Sequence, residues 1–145
     1  MVRTHGVDKC VVEEMEARHL PFTDATCPFV LKIHRIVGSQ SPDTTVLIAG
    51  DADHPEVVGI RSYCPGASYV FKNAEELQEI LKSGAISPNN PMICVSQTTF
   101  SLKEWKKSEK ILKKVCTNTK IYSTICNATS ERQEEAAALS RECDA

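Results

Sequence analysis

The sequence has no long apolar run, since none of its 145 residues lies in a stretch approaching the roughly 18 apolar residues of a membrane-spanning helix. Its first residues also lack the apolar core of a secretory signal, so we expect no signal peptide. An excess of positive charge is missing too, because 17 Lys and Arg stand against 19 Asp and Glu, for a formal net charge of −2. This balance excludes a polybasic nucleic-acid binder that neutralises many phosphates, but it allows a few contacts with one small anion.

Low-complexity tracts and internal repeats are also absent, and the length fits a single domain. With 41% apolar and 25% charged residues, the composition is typical of a globular protein and not of a disordered one. Cysteine, in contrast, is frequent, and the seven residues are Cys10, Cys27, Cys64, Cys94, Cys116, Cys126 and Cys143. Without a signal peptide we expect free thiols in a reducing compartment, most of them buried as small apolar side chains. Composition alone leaves open which of them bind metal or act as nucleophiles.

Short apolar runs alternate with amphipathic segments, a pattern that predicts βαβ units and a parallel sheet of the α/β class with flanking helices. Strands are predicted at residues 44–49, 68–71, 91–96 and 120–125, and residues 1–4 are expected to be the end of a further strand. Helices are predicted around residues 7–15, 28–37, 55–62, 74–83, 102–115 and 130–142. Asn73 and Glu76 form a predicted capping box, and Gly84 is expected to follow the end of that helix.

The spacing of apolar residues in two helices predicts which side chains face the sheet. They are Phe29, Ile33 and Val37 in the second helix and Trp105, Ile111, Leu112 and Val115 in the fifth. The fifth helix also carries six lysines, which we interpret as a solvated face. The alternative is a docking surface for an acidic electron-transfer protein.

Five polar clusters each follow a predicted strand, if the short run at residues 21–23 is counted as one. In open α/β sheets, ligands bind in the crevice beyond the carboxyl ends of the strands, so these clusters predict one shared crevice. The clusters lie at residues 5–6, 24–28, 53–56, 97–99 and 126–129.

Two cysteines occupy equivalent places in this pattern. Cys27 precedes Pro28, which suits the first position of a helix, so its sulfur is expected beside the positive end of the helix dipole, where a thiolate is favoured. Cys126 also ends a predicted strand and precedes a helix, 99 positions further along the chain. Converging thiolates would suit zinc or an iron–sulfur cluster, and a buried structural role for each is the alternative. The spacing itself is unlike that of a CxxC metal-binding motif.

The segment His54-Pro55-Glu56 places an imidazole at a predicted helix cap and a carboxyl group in the first helical turn. Such a pair suits proton delivery or the binding of a phosphate-like anion. The alternative is that Glu56 merely complements the helix dipole.

Other polar residues of the clusters have two possible roles each. His5 either binds an anion or closes a turn. Thr98 and Thr99 lie between a predicted strand and a helix, where hydroxyl and amide groups can hold a small anion, and ordinary helix capping is the alternative. His19 and His34 lie within helical patterns, so surface or packing roles are expected for them.

Five motifs, taken in order, make the sequence recognisable. They read Arg3-Thr4-His5-Gly6-Val7, Asp24-Ala25-Thr26-Cys27-Pro28-Phe29-Val30, Gly50-Asp51 with His54-Pro55-Glu56-Val57, Ser96-Gln97-Thr98-Thr99, and Thr124-Ile125-Cys126 with Ala128-Thr129 and Arg132-Gln133. Over essentially its whole length the chain resembles the LytB family, the 4-hydroxy-3-methylbut-2-enyl diphosphate reductases of the non-mevalonate isoprenoid pathway.

The resemblance implies a three-lobed α/β enzyme of which this chain is the central part. Residues 1–26 would end the first lobe, residues 27–125 would form the complete middle lobe, and residues 126–145 would begin the third. We therefore expect a truncated chain that is inactive, or nearly so, by itself.

The resemblance also implies a 4Fe-4S cluster held by one cysteine from each lobe. Cys27 and Cys126 would be two of these ligands, and the third is absent from this chain. The substrate site implied by the family consists of His5 and His54 for the diphosphate, Glu56 as proton donor, and Thr98 and Thr99 for the substrate.

The implied reaction is a reductive dehydroxylation of 4-hydroxy-3-methylbut-2-enyl diphosphate to isopentenyl and dimethylallyl diphosphate. Its partners would be this small diphosphate substrate and an electron donor of the ferredoxin or flavodoxin type, in the bacterial cytoplasm or a plastid stroma, with neither nucleic acid nor membrane involved. The residues alone leave two alternatives. One is a stand-alone anion- or diphosphate-binding α/β module without a cluster, and the other is a zinc hydrolase with Cys27, Cys126 and His54 as ligands and Glu56 as base.

Overall fold

Helices and strands alternate around one parallel sheet in a computed structural model that describes residues 1–86, 90–116 and 118–142. The strands are β1 (Thr45–Ala49), β2 (Ser68–Phe71), β3 (Met92–Ser96) and β4 (Thr119–Ile121). The helices are α1 (Lys9–Ala17), α2 (Pro28–Gly38), α3 (Pro55–Ser62), α4 (Ala74–Lys82), α5 (Leu102–Val115) and α6 (Asn127–Glu142). None of the described helices is long and apolar enough to cross a membrane. The α/β class predicted from the sequence is confirmed.

The four strands run parallel in the order β2-β1-β3-β4. Every residue of the two central strands, β1 and β3, is buried, as expected for a parallel sheet covered by helices on both faces. From β1 the chain passes to β2 on one side and then crosses to β3 on the other, so the strand order reverses between β1 and β3. Ligands of open α/β sheets bind at such a reversal, and the loops after these two strands therefore frame the expected site.

The core consists of two apolar clusters, one on each face of the sheet, because neighbouring side chains of a strand point to opposite faces. Val46 of β1 packs in the cluster that contains Ile33 of α2. Leu47, the next residue, packs in the cluster that contains Leu77 of α4 and Trp105 of α5. The helices thus cover the sheet in pairs, with α2 and α3 on one face and α4 and α5 on the other.

The capping signals at α4 are confirmed. The Asn73 side chain accepts a hydrogen bond of 2.8 Å from the Glu76 amide, and the Glu76 carboxylate accepts one of 2.7 Å from the Lys72 amide. At the other end, Gly84 follows the C-cap Ser83 with a φ of +73°, a conformation that glycine adopts without strain.

Several predicted element boundaries are wrong. Residues 1–4 do not form a strand, because Val2 makes only an isolated parallel bridge with Asp24. The clusters at residues 5–6 and 24–28 therefore follow this bridge rather than a strand. Strand β4 ends at Ile121 rather than at residue 125, and α6 begins at Asn127 rather than at residue 130.

Two side chains predicted to face the sheet are exposed instead. Phe29, which is 47% exposed, lies in the first turn of α2 and lines an open cavity with residues 123–125. Val115, which is 61% exposed, ends α5 and lines a surface groove with Ile111 and Leu81. Both lie at a helix end and border open space instead of the sheet.

Candidate active site

The loop after β1 leads into α3 and carries His54 and Glu56. His54 caps the helix as predicted, because its Nδ1 accepts a hydrogen bond of 3.1 Å from the Glu56 amide. Pro55 at the first helical position needs no amide partner there. Since Nδ1 is the acceptor, Nε2 is the nitrogen that carries the proton in the neutral ring and is available to donate to a ligand.

The Glu56 side chain is almost fully buried, with 1% of its surface exposed, and both of its oxygens are bonded to Thr98. The Thr98 amide donates to Oε1 at 2.6 Å and the Thr98 hydroxyl donates to Oε2 at 2.7 Å. A buried carboxyl group requires such partners, and here they come from the loop after β3. The loops after the two central strands are thus joined at two of the predicted site residues.

Gln97 connects the same two loops through its side-chain amide. Its Oε1 accepts from the Asp51 amide at 3.2 Å, and its Nε2 donates to the Thr99 hydroxyl at 2.9 Å. Gly50 leaves the space that this connection needs, because a Cβ atom there would lie 3.0 Å from Gln97 Oε1 and 2.7 Å from Val57 Cγ2. The sequence analysis placed Gln97 in a polar cluster but assigned it no role, since only the tertiary contact with Asp51 reveals one.

The two candidate cysteines lie at the same end of the molecule as the loops after β1 and β3, each at the start of a helix. The Cys126 amide donates to the Thr98 carbonyl at 3.0 Å, which places Cys126 directly beyond the Glu56–Thr98 contact. Cys27 caps α2 as predicted, and its thiol makes no capping hydrogen bond. Both cysteines are half-buried free thiols.

A cavity of about 190 Å³ links the surroundings of the two cysteines. It is lined by Phe29 and Lys32 from the first turns of α2, and by residues 123–125 and Asn127 on either side of Cys126. The segments that carry the two thiols therefore face the same open space. That the two sulfurs themselves meet there stays a prediction.

His5 also lies beside one of the predicted site residues. Its ring lies edge-on to that of His54, with 5.5 Å between the ring centroids. The neighbouring Thr4 carbonyl accepts a hydrogen bond of 2.9 Å from the Cys27 amide, so the segment that carries His5 is also fixed to the start of α2. Gly6, with a φ of +77°, turns the chain directly after His5.

The contacts connect all the predicted site residues. Cys27 bonds to Thr4, the neighbour of His5, and the His5 ring contacts that of His54. His54 caps the helix at the Glu56 amide, and the Glu56 carboxyl group bonds to Thr98. The Thr98 carbonyl bonds to Cys126, and the side chain of the neighbouring Gln97 bonds to Thr99. Within the part of the chain that the structure describes, no three His, Cys, Asp or Glu side chains are grouped closely enough to hold a metal ion. The described side chains therefore give no support to the zinc alternative with Cys27, Cys126 and His54 as ligands, which requires three of them to converge.

The other cysteines are separate from this site. Cys94 lies in the core of β3, where burial raises the pKa of its thiol, and Cys64 donates to the Ile60 carbonyl at 3.4 Å. Burial raises the pKa of Cys64 to about 11, so both thiols are protonated and slow to react at neutral pH. Cys10 is exposed on α1, Cys116 ends α5, and Cys143 lies outside the described residues.

His34 has the packing role expected for it. Its ring stacks on Tyr63 with 4.2 Å between centroids, and its Cε1 lies 3.0 Å from where a Cβ on Gly6 would be. Burial lowers the pKa of His34 to about 4, although the charge of Asp24 acts in the opposite direction. The buried, neutral ring supports the turn that carries His5, whereas His19 is exposed and has a φ of 52°.

A family model described as LytB protein matches residues 1–145 of the chain. The 4-hydroxy-3-methylbut-2-enyl diphosphate reductase of Helicobacter pylori (strain Shi470) is 38% identical over 145 residues, which cover 99% of this chain and 51% of the relative. The protein of that name from Geobacter sulfurreducens is 40% identical over 146 residues, covering 99% and 49%. The chain thus spans about half the length of these curated relatives.

Solved structures agree with these matches. A structure of (E)-4-hydroxy-3-methyl-but-2-enyl diphosphate reductase, the terminal enzyme of the non-mevalonate pathway, superposes with a TM-score of 0.76 at 32% identity, covering 98% of this chain and 50% of the other. The reductase from Plasmodium falciparum superposes with a TM-score of 0.80 at 25% identity, covering 97% and 44%. The architecture described above is therefore that of part of a larger enzyme fold.

Proposed function

The chain belongs to the LytB protein family, and on that premise we propose that it is the central part of a 4-hydroxy-3-methylbut-2-enyl diphosphate reductase. The proposed reaction removes the allylic hydroxyl group of the substrate and yields isopentenyl and dimethylallyl diphosphate. In this proposal residues 1–26 end the first lobe, residues 27–125 form the middle lobe, and residues 126–145 begin the third. The isolated chain is then inactive, because half of the enzyme is missing from it.

The observation that carries the proposal is the buried contact between Glu56 and Thr98. A hydroxyl group leaves as water only when its oxygen gains a proton, and a carboxyl group shielded from solvent beside a hydroxyl is suited to supply one. We assign this proton to Glu56, which has to take it up before the reaction because both of its oxygens accept from Thr98 in the structure. The amide and hydroxyl of Thr98 orient the carboxyl group. The overall balance requires two electrons and two protons, one proton for the departing water and one for the allylic carbon.

Two histidines support the assignment of a diphosphate as substrate. His5 is exposed and His54 half-exposed, and their rings lie edge-on to each other with 5.5 Å between the centroids. Imidazole N–H groups are good donors to phosphate oxygens, and His54 also stands at the positive end of α3. The exposed Thr99 hydroxyl accepts from Gln97, so its own proton is free to donate to the substrate.

Cys27 and Cys126 fit a 4Fe-4S cluster as two of its ligands. Thiolates are the ligands that iron–sulfur clusters use, both thiols are free, and both stand at helix N-termini that favour the thiolate. A third ligand has to come from a part of the enzyme that this chain does not contain. When bound, such a cluster supplies the electrons for cleavage of the allylic carbon–oxygen bond.

The proposal includes an external electron donor of the ferredoxin or flavodoxin type. It also places the enzyme in a reducing compartment, the bacterial cytoplasm or a plastid stroma. The free thiols of all six described cysteines support such a compartment.

The experiment is an anaerobic assay of the full-length protein that carries this segment, reconstituted with iron and sulfide and supplied with a reduced viologen. We expect conversion of the substrate to the two products, and Glu56→Gln should keep the cluster absorbance but lose most of the turnover. Glu79→Gln, at an exposed position of α4, is the matched control and should behave like the wild type. A Glu56→Gln variant with wild-type turnover would show that the proton comes from elsewhere.

A further inference from the structure

Thr124 occupies an unusual position between β4 and Cys126. Its hydroxyl accepts a hydrogen bond of 2.8 Å from the Ser96 amide and donates one of 2.6 Å to the Ser96 carbonyl. The Ser96 hydroxyl lies 3.1 Å away as a third partner. Both residues are buried, with Ser96 fully shielded from solvent. We propose that Thr124 is a positioning residue that sets the place of Cys126 in the site.

The hydrogen bonds on either side show what this hydroxyl replaces. The Tyr122 amide donates to the Cys94 carbonyl at 2.8 Å, and the Cys126 amide donates to the Thr98 carbonyl at 3.0 Å. In a regular parallel ladder the Ser96 amide and carbonyl would bond to backbone groups of the chain after β4. Here the Thr124 side chain bonds to both of them instead.

The use of side-chain bonds in place of backbone bonds explains why β4 is short and how the following segment is placed. Because a side chain stands between the two backbones, the chain at Thr124 is held away from β3 and returns to it only at Cys126. Ser123, Thr124 and Ile125 consequently line the cavity that also borders the first turn of α2. The displaced segment, which leads directly into Cys126, thus borders the same open space as the helix that Cys27 caps.

The chemistry requires a hydroxyl at this position. One hydroxyl can accept from an amide and donate to a carbonyl at the same time, whereas valine has the same shape but can do neither. Thr124→Val would leave the buried amide and carbonyl of Ser96 without their partner, and such unsatisfied groups are costly. The segment would then shift to regain these bonds, and Cys126 would move with it.

The test uses the full-length protein in two forms, metal-free and reconstituted with iron and sulfide. Both are needed because the effect of Thr124 on metal binding rests on the proposed function, whereas its effect on the position of Cys126 does not. Thr124→Val is compared with Thr124→Ser, which keeps the hydroxyl. The matched control is Thr119→Val, since the buried Thr119 hydroxyl in β4 has no hydrogen-bond partner among the described residues. The first readout is the rate at which a maleimide labels Cys126 in the metal-free protein, with Cys64 as internal reference, and the second is bound iron.

For Thr124→Val we expect Cys126 labelling that is faster by about tenfold, an unchanged rate at Cys64, and reduced iron after reconstitution. Thr124→Ser and Thr119→Val should resemble the wild type in both readouts. Wild-type labelling of Cys126 in Thr124→Val would overturn the inference, and so would equal acceleration at Cys64 and Cys126, which indicates general loosening. If even the wild type takes up no iron, the proposed function fails, while the labelling rates still decide the role of Thr124.

Discussion

Glu56 and Thr98 are 42 positions apart in the chain, yet both oxygens of the Glu56 carboxyl group are bonded to Thr98. One bond comes from the Thr98 backbone and the other from its hydroxyl. Mutation of the side chain therefore removes one of the two bonds and leaves the other in place. This makes it possible to separate the positioning of the carboxyl group from the contribution of the hydroxyl.

Thr98→Val in the full-length enzyme should lower kcat by about 10- to 100-fold, because it removes the hydroxyl that bonds to Glu56 and that we propose as part of the substrate site. The backbone bond to Glu56 persists, so KM should change less than kcat. Steady-state kinetics with a reduced viologen measures both values. Thr98→Ser keeps the hydroxyl and should retain most of the activity, and equal kcat values for the Val variant and the wild type would contradict the assignment.

Cys27→Ser should abolish the brown absorbance of the reconstituted full-length protein and its turnover, since a hydroxyl is a poor ligand for an iron–sulfur cluster. The measurements are the visible spectrum and the content of iron and sulfide per chain. Cys10→Ser, at an exposed thiol of α1, is the control and should leave both unchanged. Full cluster content in Cys27→Ser would remove this cysteine from the ligand set.

Gly50→Ala should destabilise the protein by about 1–3 kcal/mol, because its methyl group would lie 2.7 Å from Val57 Cγ2 and 3.0 Å from Gln97 Oε1. Displacement of Gln97 should also reduce activity, since its side chain positions Thr99. Denaturant unfolding of the full-length protein measures the stability. Gly38→Ala is the matched control, because its nearest contact, the Tyr63 carbonyl, is 3.6 Å away and allows a methyl group.

The stability of the protein should fall as the pH drops from about 6.5 to about 4, because of His34. Burial lowers the pKa of this ring to about 4 in the folded protein from an ordinary value of 6.5. In that window the unfolded chain binds a proton that the folded protein does not, so the unfolding free energy should decrease by roughly 2–3 kcal/mol. Above pH 6.5 the contribution is fully present.

Denaturant midpoints measured across this pH range in wild type and His34→Phe test the assignment. Phenylalanine keeps the ring that stacks on Tyr63 but cannot titrate, and the nearby charge of Asp24 is unchanged. The difference in denaturant midpoint between wild type and His34→Phe should therefore change between pH 6.5 and 4 and be constant above pH 6.5. The exposed His19 serves as a control through His19→Gln, and a constant difference at all pH values would argue against His34.

Features that depend on near neighbours were predicted well. The cap of α4 at Asn73, the His54 cap ahead of Pro55, and Cys27 ahead of Pro28 all follow from residues within a few positions of one another. Predictions were wrong where distant residues intervene. Strand β4 was expected to reach residue 125, but the Thr124 hydroxyl bonds to Ser96 on the neighbouring strand and interrupts the ladder.

By itself, the sequence determined the α/β class, the helix caps and the types of polar residue that follow the strands, because spacing and local backbone preference govern these features. Only the tertiary structure decided that Glu56 meets Thr98, that Gln97 joins the two loops, and that the Thr124 hydroxyl bonds to Ser96. These contacts depend on the order and register of the strands. Pairing energies between segments far apart in the chain set that order, and no local pattern of residues encodes it.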